Sequence, residues 1–243
     1  MTILRDPVDT FESFYSYMNI DQRLELDINQ FAVSLLTRQQ ENNMSQDVTR
    51  GRNKALYDLG LDPAEMSEQE KVLSKIRSLE EEFDQVLILE RLEESLVLMA
   101  GSLCWRLEQV SHVRLNSRKE DFVTSLSPES RDILAGWLWA DRLLYEHFLG
   151  SHSQEVDTFG ASRMKNAVEL LRGLNERLRS ECVSEVKENV EKVFQQNNGK
   201  IQQIVPSQER AWCWDYFKTE ISFTKSIRAM NRNHLSLTPI EIN

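Results

Sequence analysis

The 243-residue chain can form one large domain or two small ones, and its 40% hydrophobic and 28% charged residues are ordinary for a globular protein. A formal net charge of −10 excludes general affinity for nucleic acid, which requires a basic face. No run approaches 18 uninterrupted apolar residues and the N-terminus lacks a charged region followed by an apolar one, so neither a membrane span nor a secretory leader is expected within the sequence.

Thr2, Ile3 and Leu4 read as a short buried strand that stops at Arg5 and turns directly into a helix. Asp6 is placed to cap that helix, Pro7 suits its first position, and Asp9 suits the positive end of its dipole. Arg5 therefore falls at the carboxyl end of a strand, the rim where open α/β sheets bind ligands, with a helix N-terminus just beyond it. Ser13 follows about two turns along the helix, roughly 10 Å of rise from the cap. An arginine and a hydroxyl so arranged can hold one phosphate; the competing account is a strand-capping arginine in an ordinary ion pair and a solvated serine.

Ile28–Arg38 reads as a second helix with Phe31 and Leu35 inward, followed by a loop from Gln39 to Gly51. That loop contains a glycosylation sequon at Asn43, which matters only in a secretory compartment. A short helix over Arg52–Gly60 ends at its glycine. Ser67 and Glu70 form the pattern of a capping box for a further helix whose stripe is Val72, Ile76, Leu79 and Phe83. Gln85–Leu89 suits a strand buried on both faces, Glu94–Leu107 a helix, and His112–Leu115 another strand. Strand, helix, strand at this length is a βαβ crossover, giving a three-stranded parallel sheet with Thr2–Leu4. Arg114, Arg118 and Lys119 form a local basic group beside it, either solvated or touching a ligand.

From Ser127 onward the pattern is helical. Ser127 and Pro128 mark the start of a helix to Phe148, in whose apolar stripe Asp141 needs a partner, structural or acceptor-borne. A long helix over Ser153–Cys182 carries Met164, Leu171, Leu174 and Leu178 at coiled-coil spacing. The tail holds the aromatic group Trp212, Trp214, Tyr216 and Phe217, expected to cover the core. Of the three cysteines, Cys104 falls on an apolar helix and reads as a buried thiol, while Cys182 and Cys213 could pair in an oxidising lumen.

Several of these stretches also carry a resemblance. Leu4-Arg5-Asp6-Pro7 with the following FESFYSY resembles the 3'-phosphate-binding element of sulfotransferases that use 3'-phosphoadenosine 5'-phosphosulfate (PAPS). FDQVLI (83–88), EESLVL (93–98), LCW (103–105), RLNSR (114–118), LSP (126–128), WADRLLYEHF (139–148) and NERLR (175–179) are similar, in order, to blocks of the galactose 3-O-sulfotransferases. Within that family the blocks resemble the galactosylceramide sulfotransferase group. The resemblance runs over most of residues 2–182; after Cys182 the sequence ValSerGluVal departs from the family, which has a glycine-containing turn there.

The resemblance implies an α/β, P-loop-like sulfotransferase fold lacking its first strand and phosphosulfate loop, with a small parallel sheet and a mainly helical C-terminal half. Residues 1–182 would be the partial sulfotransferase domain and 183–243 a divergent helical and aromatic segment of it. It implies PAPS as sulfuryl donor, with Arg5 and Ser13 on its 3'-phosphate, a galactosyl glycolipid or glycan as acceptor, and no metal or nucleic acid. It also implies residence in the Golgi lumen through an upstream anchor absent from this chain. The family's lysine-bearing loop and catalytic histidine lie ahead of the LRDP strand, and no glycine-rich phosphate loop occurs in the sequence. No catalytic residue is therefore assigned, and none of His112, His147, His152 and His234 has an identifiable partner. The chain alone is expected to show little or no transfer activity. The competing class is a non-catalytic helical interaction protein on a sulfotransferase framework, which the genomic sequence ahead of Met1 would distinguish.

Overall fold

A computed structural model of the chain describes residues 1–37, 46–115, 117–118, 123–187 and 203–235. Strand β1 (Thr2–Leu4) pairs in parallel with β2 (Val86–Ile88), with Thr2 opposite Val86 and Leu4 opposite Ile88. Between them run α1 (Pro7–Tyr17), α2 (Ile20–Leu24), α3 (Ile28–Ser34), α4 (Gln46–Gly51), α5 (Lys54–Asp58) and α6 (Gln69–Glu82). After β2 come α7 (Leu92–Ser102), α8 (Pro128–Trp137), α9 (Trp139–Phe159) and α10 (Ala161–Cys182). The chain continues into an antiparallel pair, β3 (Val183–Lys187) and β4 (Gln203–Pro206), a 3-10 segment at Ala211–Phe217, and α11 (Glu220–Leu235). The fold is thus mostly helical around a small parallel sheet.

The alternation of β2 sets the layers. Val86 and Ile88 join Leu4 in a core with α5, α6 and α9, whereas Leu87 faces α7 and α10 with Val97, Ala100, Met164 and Leu171. A third core is aromatic: Phe11 of α1 meets Phe31 of α3 at 5.7 Å and Trp137 of α8 at 5.0 Å between centroids. Gly51 seats α4 beneath this group, because a Cβ there would lie 2.7 Å from the Phe14 ring.

Several expectations are corrected. His112–Leu115 is not a strand: among the described residues the parallel sheet has two strands, and Val113 instead packs against Leu178 and the Cys182 and Cys213 side chains. The βαβ crossover of the sheet is consequently the helical passage from β1 to β2. The second helix ends at Ser34, and the loop expected over Gln39–Gly51 contains α4, whose Val48 is buried in the aromatic core. The sequon at Asn43, together with Arg38 and Lys119, lies outside the described residues.

Ser67 does not cap α6; it sits in a preceding 3-10 turn and donates to the Ala64 carbonyl at 3.3 Å, leaving Glu68 at the cap. Helix α7 ends earlier than expected because the backbone reverses at Cys104, at φ 53°, with Trp105 N–H returning to the Ala100 carbonyl at 2.7 Å. Cys104 is therefore exposed rather than buried. Helix α9 runs straight through Phe148 and His152, because Leu144, Phe148, His152 and Val156, four apart, are all buried; the break falls at Gly160, at φ 95°.

Candidate functional site

The polar turns that leave the carboxyl ends of β1 and β2 meet at one edge of the sheet. At the end of β1, the Asp6 carboxylate accepts from Val8 and Asp9 N–H at 2.9 and 3.0 Å, so the first turn of α1 is capped. The Asp6 N–H is donated across the edge to Glu90 Oε1 at 2.9 Å, and Glu90 sits in the 3-10 turn that follows β2. The other Glu90 oxygen accepts from the Tyr145 hydroxyl of α9 at 3.1 Å. Burial first, then the Glu90 charge and hydrogen bond, hold the Tyr145 phenol above its ordinary range, so it stays a neutral donor. Arg131 of α8 donates to Asp9 at 2.5 Å and lies 3.5 Å from Asp6.

The acidic groups of this edge are thereby engaged. The guanidinium of Arg5, half-buried at the end of β1, has no hydrogen-bond or ion-pair partner among the described residues, and neither has the side-chain hydroxyl of the half-buried Ser13 in the middle of α1. Both belong to one strand-to-helix unit, and no hydrogen bond joins them. Between them the neighbouring Glu12 is turned inward and takes both ends of the Arg118 guanidinium, one at 2.8 Å, plus Thr124 N–H at 3.3 Å. Arg118 is thus neither a solvated charge nor a free ligand contact; it ties the segment before α8 to α1.

A second polar group lies directly behind the edge. Ser95, fully buried in α7, accepts from Ile88 N–H at 3.0 Å and lies 2.9 Å from His152 Nε2. With Nε2–H donating to Ser95, the hydroxyl can donate to the Ile88 carbonyl at 3.2 Å, and all three elements are latched. Burial and then the charge of Arg91 hold the His152 ring below its ordinary value, and therefore neutral. Ser95 holds main chain here and is not presented as a nucleophile. The expectation that His152 has no identifiable partner is overturned: it lies within α9 and meets Ser95. His147 Nε2 lies 3.4 Å from Glu80, and the His112 ring lies 3.4 Å from the Val110 carbonyl. The side chain of His234 lies outside the described residues.

Beyond Glu90, a groove of about 500 Å³ runs between the start of α7 and α10, with Val156, Met164 and Val168 on its floor and Arg91, Lys165 and Glu169 on its walls. Neither Arg5 nor Ser13 lines it. Asp141, expected in an apolar stripe, is a structural group: it accepts from Ala55 and Leu56 N–H, both at 2.9 Å, and so caps α5 from outside. Glu90, Ser95 and Tyr145 were not singled out by sequence reasoning. For Glu90 the signal was present, a charged residue immediately after the apolar run VLIL at the same sheet edge as Arg5. Among the described residues there is no group of three or more side chains suited to a metal ion, and no helix is long and apolar enough to cross a membrane.

A parallel strand pair with helices on both faces and its polar turns gathered at one edge is an α/β domain of the open-sheet class. Within that class the chain belongs to the galactose-3-O-sulfotransferase family of enzymes, which matches residues 1–212. It is 35% identical over 198 residues to the galactosylceramide sulfotransferase of Bos taurus and 35% over 193 residues to that of Homo sapiens. It is also 35% identical over 188 residues to galactose-3-O-sulfotransferase 2 of Homo sapiens. These alignments take in 75%, 75% and 76% of this chain but 44%, 44% and 47% of the relatives, so the chain spans less than half their length. No solved structure matches.

Proposed function

We propose that this chain supplies the 3'-phosphate grip and part of the acceptor side of a P-loop-like sulfotransferase that uses PAPS. The enzyme transfers a sulfuryl group to the 3-hydroxyl of a β-galactosyl residue on a glycolipid or glycan. The observation that carries this reading is the family match over residues 1–212, together with relatives named galactosylceramide sulfotransferase and galactose-3-O-sulfotransferase 2. The unpartnered guanidinium beside a capped helix start supports the assignment of Arg5, and the hydroxyl of Ser13 supplies a second donor.

In the reaction the acceptor oxygen attacks sulfur in line, the bridging bond between sulfur and the 5'-phosphate oxygen breaks, and adenosine 3',5'-bisphosphate departs. The hydroxyl proton passes to a general base. The part played here by Arg5 and Ser13 is to fix the nucleotide by its far phosphate, so that the sulfuryl group is held in one position. The disulfide between Cys182 and Cys213 supports residence in an oxidising compartment such as the Golgi lumen.

The test is direct binding of adenosine 3',5'-bisphosphate by calorimetry. Arg5→Ala is expected to weaken it by more than about tenfold, over about 1.4 kcal/mol, and Ser13→Ala by a smaller factor. Equal affinities for folded wild type and Arg5→Ala remove Arg5 from the site.

A further inference from the structure

The family match stops at residue 212, and the chain beyond it has a surface of a different kind. Helix α11 leaves large apolar side chains uncovered: Phe223, Ile227 and Met230 are 45%, 49% and 59% exposed. Spaced i, i+4 and i+7, they form one stripe down the helix, the arrangement a globular helix normally turns into a core. Just before it, the 3-10 segment Ala211–Phe217 exposes Trp212 and Trp214 at 45% and 48%. That segment does not swing freely, because Cys213 is bonded to Cys182 at the end of α10, and Tyr216 and Phe217 pack on the same cluster. The expectation that all four aromatics cover the core is thus met by two of them, while the two tryptophans face outward.

Charge selects the occupant. In a chain of net charge −10, the sequence of α11 holds one acidic residue, Glu220, against the basic Lys225, Arg228 and Arg232. Lys225 and Arg228 lie three apart, on a side of the helix away from the apolar stripe, a side that also carries the exposed Ile221. A hydrophobic groove on another protein would take the stripe but would leave the paired tryptophans and the local positive charge without a role. A second copy would cover the stripe but would likewise leave the tryptophans and the cations without a role. An anionic lipid surface matches all three features. Indole rings settle at headgroup depth, the stripe enters the acyl boundary, and the cations on the outer side of the helix stay within about a Debye length of the anionic headgroups. We propose that α11, together with Trp212 and Trp214, is an interfacial anchor that lies on an anionic bilayer surface. It is independent of the sulfuryl-transfer reading.

The experiment is co-sedimentation of the whole chain with phosphatidylcholine vesicles containing phosphatidylserine, and with phosphatidylcholine alone, alongside tryptophan emission. Binding to the anionic vesicles with a blue shift is expected, weakened about tenfold or more by the triple change Phe223→Glu, Ile227→Glu, Met230→Glu. Lys225→Glu with Arg228→Glu is expected to remove the preference for phosphatidylserine. Since these side chains are exposed, the variants should keep the wild-type circular dichroism and melting profile. Absence of binding to anionic vesicles overturns the proposal, as does equal binding by the triple variant. Self-association abolished by the triple change, with no vesicle binding, would assign the stripe to a second copy instead.

Discussion

Asp141 caps a helix to which it does not belong, and its titration follows from that position. Burial raises its carboxyl from an ordinary 3.8 to about 6, against the pull of the Leu56 and Ala55 N–H groups. A carboxyl raised in the fold binds its proton more tightly there than in the unfolded chain. Its contribution is therefore fully present below pH 4 and is lost as pH rises toward 6, by at most about 3 kcal/mol. Urea denaturation between pH 4 and 7 should show this decline in wild type and not in Asp141→Asn. Asp141→Ala should cost about 2–4 kcal/mol at pH 7, because two buried donors lose their acceptor. His152 acts in the opposite sense: its folded value is lowered by burial and by Arg91, so its contribution is present above pH 6.5 and is lost on acidification. His152→Gln should flatten the acid side of the same profile.

At the scale of elements, the helix starts were legible where a cap and a proline coincide, as at Asp6-Pro7 and Ser127-Pro128, since both act within one turn. The strand pair was legible for a similar local reason, a short and mainly apolar run closed by a charged residue, Arg5 after Leu4 and Glu90 after Leu89. The failures came where tertiary partners decided. His112–Leu115 has the composition of a strand but finds a disulfide cluster rather than a sheet edge to lie against. Strand β3 was hidden because a register irregularity between Val183 and Glu185 breaks the alternation that would mark it. Of the candidate site, Arg5 and Ser13 could be read from a single strand-to-helix unit, whereas Glu90 acquires its role only through contacts 84 and 55 residues away.

The Glu12–Arg118 tie, formed by residues 106 apart, belongs to the same class. With the Glu12 side chain 7% exposed, Arg118→Ala strands a buried carboxylate and should cost about 3–5 kcal/mol. Replacing both, Glu12→Gln with Arg118→Met, should recover part of that loss in a double-mutant cycle; an additive result would show that the pair is not coupled.

At the scale of the whole molecule, the body and the C-terminal unit are stabilised by different means. The body has three contiguous apolar cores, whereas the region after α10 rests on a small cluster around one disulfide with a sequence separation of 31. Closing a loop of that size is worth about 3–4 kcal/mol in the chain-entropy account. Reduction, or Cys182→Ser with Cys213→Ser, should therefore loosen the β3–β4 unit at lower temperature while the body melts as before, as hydrogen exchange across the two regions would report. Because the cystine bridges both sides of the connection between β3 and β4, a protease that nicks the backbone there frees no peptide. The severed molecule would migrate as a single species on a gel run without thiol and split into two bands when thiol is added, and until then its lipid-facing helix would remain attached.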